Sequence, residues 1–333
     1  MNVKELPFSM KPVGWFQIGW SDEIANATIK PIKYFGEEMI AFRTEQGALH
    51  VMEAHCHHLG AHLGYGGKVT GDQITCPYHG WQWNSEGKNT HIPYQENCVN
   101  KRLKTYHIKE QHGVIFLWHD PSGSAPRWGL PHMFDSFRDY LDMDESAFYP
   151  IYPHGTRLWP KEEVHPQITF ENSVDSMHFR YVHNSPLNPE LLEQDYRENG
   201  SVFRTLFGFR SVKHNEEITM TFDTRTSGVG CSFNVFKGSY NYRVLYCATP
   251  IDDASSDLFN TIWWPRKPGD NGDMPEDIQQ RVDKEILTTV DEDLSVWRHQ
   301  KYVHRPLLAK QDVKAFNALR KFQAGFYDLP PTD

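Results

Sequence analysis

Cys56-His57-His58-Leu59-Gly60 and Cys76-Pro77-Tyr78-His79-Gly80-Trp81 each bring one cysteine and one histidine to a loop, spaced Cys-x-His and Cys-x-x-His, with seventeen residues between His58 and Cys76. Two thiolates on one iron and two imidazoles on the other are the ligands of a mixed 2Fe-2S cluster. Neutral imidazoles lower the negative charge of such a cluster and raise its potential, so it can take electrons from a ferredoxin-type donor. Zinc is the competing reading. A zinc finger, however, tends to pair its cysteines in one loop and its histidines in another, whereas each loop here has one of both. Gly60, the run Gly64–Gly67 and Gly80 supply the tight turns such loops need. Cys56, His58, Cys76 and His79 are therefore the expected cluster ligands. His55, His57 and His62 fall off the pattern and are read as satisfied or solvent-facing. Cys98, Cys231 and Cys247 have no ligand spacing and are read as small buried hydrophobes.

A cluster alone would suit an electron carrier, but a long remainder of chain carries a second ligand set. Asn172, Asp175, His178 and His183 form Asn-x-x-Asp-x-x-His-x-x-x-x-His. Glu171–His183 reads as mostly helical, with Asp175 and His178 on one face. His178 and His183 do not share a face of a regular helix, so the helix must loosen or end before His183, and Asn184-Ser185-Pro186 is a reasonable stop. Two histidines at a helix end can supply the imidazoles of a two-His, one-carboxylate iron site. Asp293 is the expected carboxylate: in a helix with Ile278, Val282, Ile286, Val290, Leu294 and Trp297 on its apolar stripe, it lies where an unpaired carboxylate is costly. The plain alternative is a surface acid like its neighbours Asp291 and Glu292. Asp175 is expected beside the site, accepting a hydrogen bond from the second ring nitrogen of His178. Asn172 either tunes the site through a hydrogen bond or plays a helix-capping role.

Around these motifs, short β-rich runs such as Met39–Arg43, Ala48–Met52, Gln73–Thr75 and Gly113–Trp118 point to a small β domain, closed by a linker near Asp120–Pro126. Antiparallel strands are expected from Thr205 to Trp264, and a last helix over Asp312–Phe326. The class is α+β. The 333 residues carry a net charge of −9 with no Lys/Arg-rich run, which speaks against nucleic acid or an anionic membrane as partner. No stretch approaches a membrane span and no signal-peptide core opens the chain, so a cytoplasmic protein is expected. The 10 Trp, 15 Tyr and 20 Phe imply large cores and, secondarily, an apolar ligand pocket.

Taken together, Cys56–His58, Cys76–Trp81 and Asn172–His183 resemble the α subunits of Rieske non-haem iron oxygenases, from Gly14-Trp15-Phe16-Gln17 onward. Phe116-Leu117-Trp118-His119-Asp120, Asp293-Leu294-Ser295-Val296-Trp297, Arg305-Pro306-Leu307-Leu308 and Ala318–Tyr327 look like the branch containing the 3-ketosteroid 9α-hydroxylase oxygenase component and the sterol 7-desaturases. The resemblance implies an N-terminal segment (1–30) packing on the catalytic domain, an all-β Rieske domain (31–125), and a helix-grip-like catalytic domain (126–333) with an antiparallel sheet and flanking helices. It supports Asp293 over Asp291 as third iron ligand. It also implies a head-to-tail homotrimer, in which Asp175 connects His79 of one subunit to His178 of the next and so bridges electron transfer. Ser185-Pro186-Leu187-Asn188-Pro189-Glu190 departs from the steroid enzymes, which leaves the substrate open.

The expected function is the terminal oxygenase component of a multicomponent system, hydroxylating an apolar, steroid-like substrate with O2. Expected cofactors are one 2Fe-2S cluster and one mononuclear Fe(II). With no Gly-x-Gly-x-x-Gly fingerprint, neither NAD nor flavin is expected on this chain; a separate NAD(P)H-dependent reductase, with flavin and a ferredoxin-type cluster, would deliver electrons. Rival readings are an aromatic-ring dioxygenase, an oxidative demethylase, or an electron-transfer protein without catalytic iron.

Overall fold

The computed structural model describes residues 7–211 and 217–327. The ends of the expected 1–30 and 126–333 segments, and the Ile286 side chain, lie outside the described residues. Two compact units result, Ile18–Trp118 and the rest of the chain on either side of it. The unit edges thus fall at 17/18 and 118/119, with Asp120–Pro126 just beyond the second.

The smaller unit is all β. A strand β1 (Gly14–Trp20) begins in the larger unit and ends in the smaller one. The smaller unit continues with β2 (Ile29–Tyr34), β3 (Glu37–Arg43) and β4 (Leu49–Glu53), which form one antiparallel sheet, and β5 (Lys68–Thr70), β6 (Gln73–Thr75), β7 (Gln82–Asn84) and β8 (Asn89–His91), which form another. β9 (Ile108–Gln111) and β10 (Val114–His119) close it as a hairpin. Strand runs of alternating character, Ile40 and Phe42 on β3 and Ile74 and Trp83 on β6 and β7, all point into one apolar core. Cys56 and Cys76 are members of that core.

The larger unit is built on a seven-stranded antiparallel sheet. Its members are β11 (Thr156–Glu162), β12 (Asn188–Arg197), β13 (Val202–Arg210), β14 (Ile218–Ser227), β15 (Cys231–Lys237), β16 (Arg243–Pro250) and β17 (Ser256–Trp263). They run in order from β12 to β17, and β11 adds to the edge beside β17. Edge strand β12 was not foreseen: its proline and three acids hide it from a periodicity search, yet it pairs with β13 from Asn188↔Arg210 to Arg197↔Val202.

The helices differ from the expectation in one place. Glu171–His183 is not mostly helical. α1 (Pro166–Glu171) ends where that stretch begins, and only α2 (His178–Tyr181) follows within it. Pro166 at the first turn and His165, accepting the Gln167 N–H at 3.1 Å, start α1 early. The Asp175 carboxylate then takes the N–H groups of Met177 (3.1 Å) and His178 (3.2 Å), an alternative to continued helix that Asp offers readily. Downstream, α3 (Glu276–Val282) and α4 (Thr288–Trp297) are joined by a π turn at Asp283–Leu287. Among the described side chains the buried stripe runs Ile278, Val282, Leu287, Val290, Leu294 and Trp297. Val290, Leu294 and Trp297 pack with Ala248 of β16 and Leu258 of β17. α5 (Val313–Ala324) is the last element.

At the β14–β15 turn, residues 14–17 lie against the large sheet. Thr249 Oγ1 donates to the Gln17 carbonyl at 2.6 Å, and a Cβ on Gly230 would stand 2.3 Å from the Trp15 carbonyl oxygen. Gly230→Ala is expected to destabilise the protein by about 2 kcal/mol or more, because backbone must move. Thermal unfolding measures it; an unchanged melting temperature would refute this packing.

Candidate metal centres and cavity

The two cluster loops share one backbone design. Cys56 N–H donates to the Ala61 carbonyl (2.9 Å) and Gly60 N–H to the Cys56 carbonyl (2.9 Å); Cys76 N–H donates to Trp81 (2.8 Å) and Gly80 N–H to Cys76 (3.1 Å). Gly60 (φ +76°) and Gly80 (φ +74°) occupy equivalent left-handed positions, four residues after each cysteine. Two loops with different Cys-to-His spacing thereby close in the same way.

The side chains converge. Cys56 and Cys76 are buried with their sulfurs side by side, and burial pushes the Cys56 thiol pKa up. Trp83 Nε1–H points at Cys56 Sγ (3.4 Å), and the His58 backbone N–H also reaches that sulfur. The His58 and His79 rings lie 4.5 Å apart, and Trp81 stacks on His58 at 4.6 Å and 5°. His58 Nδ1 and His79 Nδ1 are both buried with no hydrogen-bond partner. Two orphaned imidazole nitrogens next to two adjacent thiols fit a 2Fe-2S cluster with mixed ligands, since a metal satisfies lone pairs that protein and water do not reach. His55, His57 and His62 have protein partners instead: His55 spans Glu38 (2.7 Å) and the Gly60 carbonyl (3.0 Å), His57 meets Glu53 (2.8 Å), and His62 Nδ1 accepts the Gly64 N–H (3.0 Å).

In the larger unit, ligating atoms of His178, His183 and Asp293 lie within 4.8 Å of one another. His178 opens α2 and His183 lies two residues past its last residue, with their ring centroids 5.3 Å apart, and α4 presents the carboxylate. His178 Nδ1–H donates to the backbone carbonyl of Asp175 (2.5 Å), leaving Nε2 for a metal. The contact expected from the Asp175 carboxylate is thus made by its carbonyl; the carboxylate caps α2. His183 Nδ1–H donates to Glu292 (2.7 Å), and His183 Nε2 faces Asp293 Oδ1 at 3.4 Å. Asn172, which caps the end of α1, hydrogen-bonds the Asp293 carboxylate. Asp291 is elsewhere, accepting from Trp159 Nε1 (2.6 Å) and paired with Arg157 (2.9 Å).

Burial raises the Asp293 pKa to about 6, against the pull of His183 and Asn172, and lowers that of His178 to about 3. Ionising Asp293 in the metal-free site therefore costs about 3 kcal/mol more than in water. A divalent cation removes that cost, and two neutral imidazoles with one carboxylate and open positions are the donor set of non-haem Fe(II) sites. Sequence reasoning missed Glu292: nothing in the spacing of a helix acid says that it will hydrogen-bond His183 across the fold.

The three residues border a cavity of about 280 Å³. Phe179, Phe209, Met220, Phe222, Phe236 and Tyr242 form its apolar side, and their contribution depends on strand register that the sequence alone does not expose.

Comparisons with known proteins agree with this picture. Residues 14–107 match the Rieske 2Fe-2S domain, and residues 117–327 match the 3-ketosteroid 9α-hydroxylase C-terminal domain. A cholesterol 7-desaturase, nvd, of Xenopus laevis is 26% identical, with 97% of this chain and 73% of that protein aligned. A probable 3-ketosteroid-9-alpha-monooxygenase oxygenase component of Rhodococcus rhodochrous is 27% identical, over 95% of this chain and 80% of that protein. The fold matches Pseudomonas putida CBB5 NdmA with caffeine at a TM-score of 0.67 and 18% identity, with 94% of each chain covered. It matches dicamba monooxygenase bound to dicamba at a TM-score of 0.63 and 17% identity, covering 93% of this chain and 96% of that one.

With Asp293 proposed as a ligand, metal and proton would compete for it, and Fe(II) affinity of the metal-free site is expected to fall as pH drops through 6, by up to about tenfold per unit. Chelator competition between pH 7.5 and 5 measures it; an affinity constant over that range would exclude the carboxylate as a ligand. Glu292→Ala, which frees the His183 ring, is expected to weaken iron binding about 10–100-fold in the same assay, with the cluster spectrum unchanged.

Proposed function

The chain belongs to the Rieske non-haem iron oxygenases of the 3-ketosteroid 9α-hydroxylase type, and on that footing we propose that this terminal oxygenase component hydroxylates an apolar, steroid-like substrate. The observation that carries the proposal is the close group of His178, His183 and Asp293 opening onto an aromatic-walled cavity. In our reading these three residues hold one Fe(II), and Cys56, His58, Cys76 and His79 hold the 2Fe-2S cluster. When bound, the cluster supplies single electrons and the mononuclear iron the site of O2 reduction. The balance is one C–H bond converted to C–OH by one O2, two electrons and two protons, with one water released.

The protein's own groups orient and exclude. Glu292 and the Asp175 carbonyl fix which nitrogen of each histidine is free, and Asn172 holds the carboxylate. The phenylalanines keep bulk water from the reacting C–H bond. A homotrimer places the cluster of one subunit beside the iron of the next, with Asp175 between His79 of one and His178 of the other. What supports that role for Asp175 is its direct link, through its own carbonyl, to His178. A separate NAD(P)H-dependent reductase feeds the cluster. Among the described residues no helix is long and apolar enough to cross a membrane, and we propose a cytoplasmic location.

Loaded protein is expected to carry about three irons per chain, and Asp293→Ala about two with an intact Rieske spectrum and no oxygenation. Turnover with a reductase, labelled O2 and a steroid panel is expected to place one labelled oxygen in the product. Release of formaldehyde from methylated substrates would instead mark a demethylase, and no oxidation of any steroid would end the steroid reading.

A further inference from the structure

Asn172 at the end of α1 hydrogen-bonds the Asp293 carboxylate of α4, so the proposed iron site depends on how those two elements are held together. The residue before Asn172 shows one way. Glu171 is buried, and burial pushes its pKa up. A carboxylate in that position is tolerated only with a partner, and Arg320 of α5 supplies it. The contact is bidentate: Arg320 Nε donates to Glu171 Oε1 at 2.7 Å, and Nη2 donates to Oε2 at 3.0 Å.

The same guanidinium reaches a second segment. Arg320 Nη1 donates to the carbonyls of Val303 (2.9 Å) and His304 (3.1 Å), and the guanidinium carbon lies 4.9 Å over the Tyr302 ring. These residues belong to the chain that leaves α4 after Trp297. Tyr302 in turn packs against the core that Ile168 and Phe170 of α1 share with Val290, Leu294 and Trp297 of α4. One side chain is therefore bonded both to the last residue of α1 and to the chain beyond α4. A planar fork can serve both at once; an ammonium on a flexible stem cannot hold the same angles.

We propose that Arg320 is a positioning residue of the mononuclear iron site, clamping the end of α1 to the chain leaving α4 so that Asn172 meets Asp293. Arg320 does not itself line the cavity, so its effect passes through Asn172. The inference rests on the reading of His178, His183 and Asp293 as iron ligands. A purely stabilising pair would leave iron affinity intact once both of its charges were removed together. A clamp would not.

The test is Fe(II) affinity, by chelator competition, of the full chain loaded with its cluster. Glu171→Met and Arg320→Met made together leave no charge buried alone, so the fold is expected to hold. Affinity is expected to fall about tenfold, the low end for a group that orients a ligand from outside, with the Rieske spectrum unchanged. Adding Asn172→Ala should then cost little more, because the two changes act on one contact and do not add. Native affinity in the paired variant, or losses that multiply independently, would overturn the clamp. Should the paired variant fail to fold, Arg320→Lys keeps the charge without the fork, and the same cycle with Asn172→Ala decides in the same way. Absence of Fe(II) binding in the unaltered protein would instead overturn the ligand reading, and this inference with it.

Discussion

His183 is held between two carboxylates of consecutive residues, Glu292 at Nδ1 and Asp293 at Nε2. A neutral imidazole has one proton. If Nδ1 donates to Glu292, the lone pair of Nε2 points at a buried carboxylate, and the pair repel unless a positive charge lies between them. That requirement organises the site. α4 must carry two adjacent acids to the same ring, α2 must end in time to free His183, and the loop before it must turn His178 the same way. Asn172 at the end of α1 and the Asp175 carbonyl complete the constraint, so that three short elements and one long helix agree on a single point.

Much of this was legible in the sequence, for identifiable reasons. The cluster loops could be read because their chemistry is local: ligand, glycine and turn lie within a few residues of each other. Helices α3 and α4 could be read because a long apolar stripe repeats. Glu171–His183 could not be read in detail, because elements of six and four residues are too short to show a period, and because the Asp175 carboxylate satisfies backbone N–H groups that a helix would otherwise use. Strand β12 was hidden by its edge position, where side chains answer to solvent rather than to a core. Glu292 and the hold of Arg320 on Glu171 depend on contacts across more than a hundred residues, and neither leaves a local trace.

The π turn at Asp283–Leu287 acts on the iron side as a phase shift. Each residue of an α-helix advances it by about 100°, so inserting or deleting one residue upstream rotates everything beyond it by that angle. Beyond the turn, Val290, Leu294 and Trp297 of α4 pack into the core and Asp293 lies beside His178 and His183. Removing one residue from the turn would rotate α4, and Asp293 with it, by that angle relative to α3. A break in helical regularity thus ties the packing of α3 to the direction in which Asp293 points.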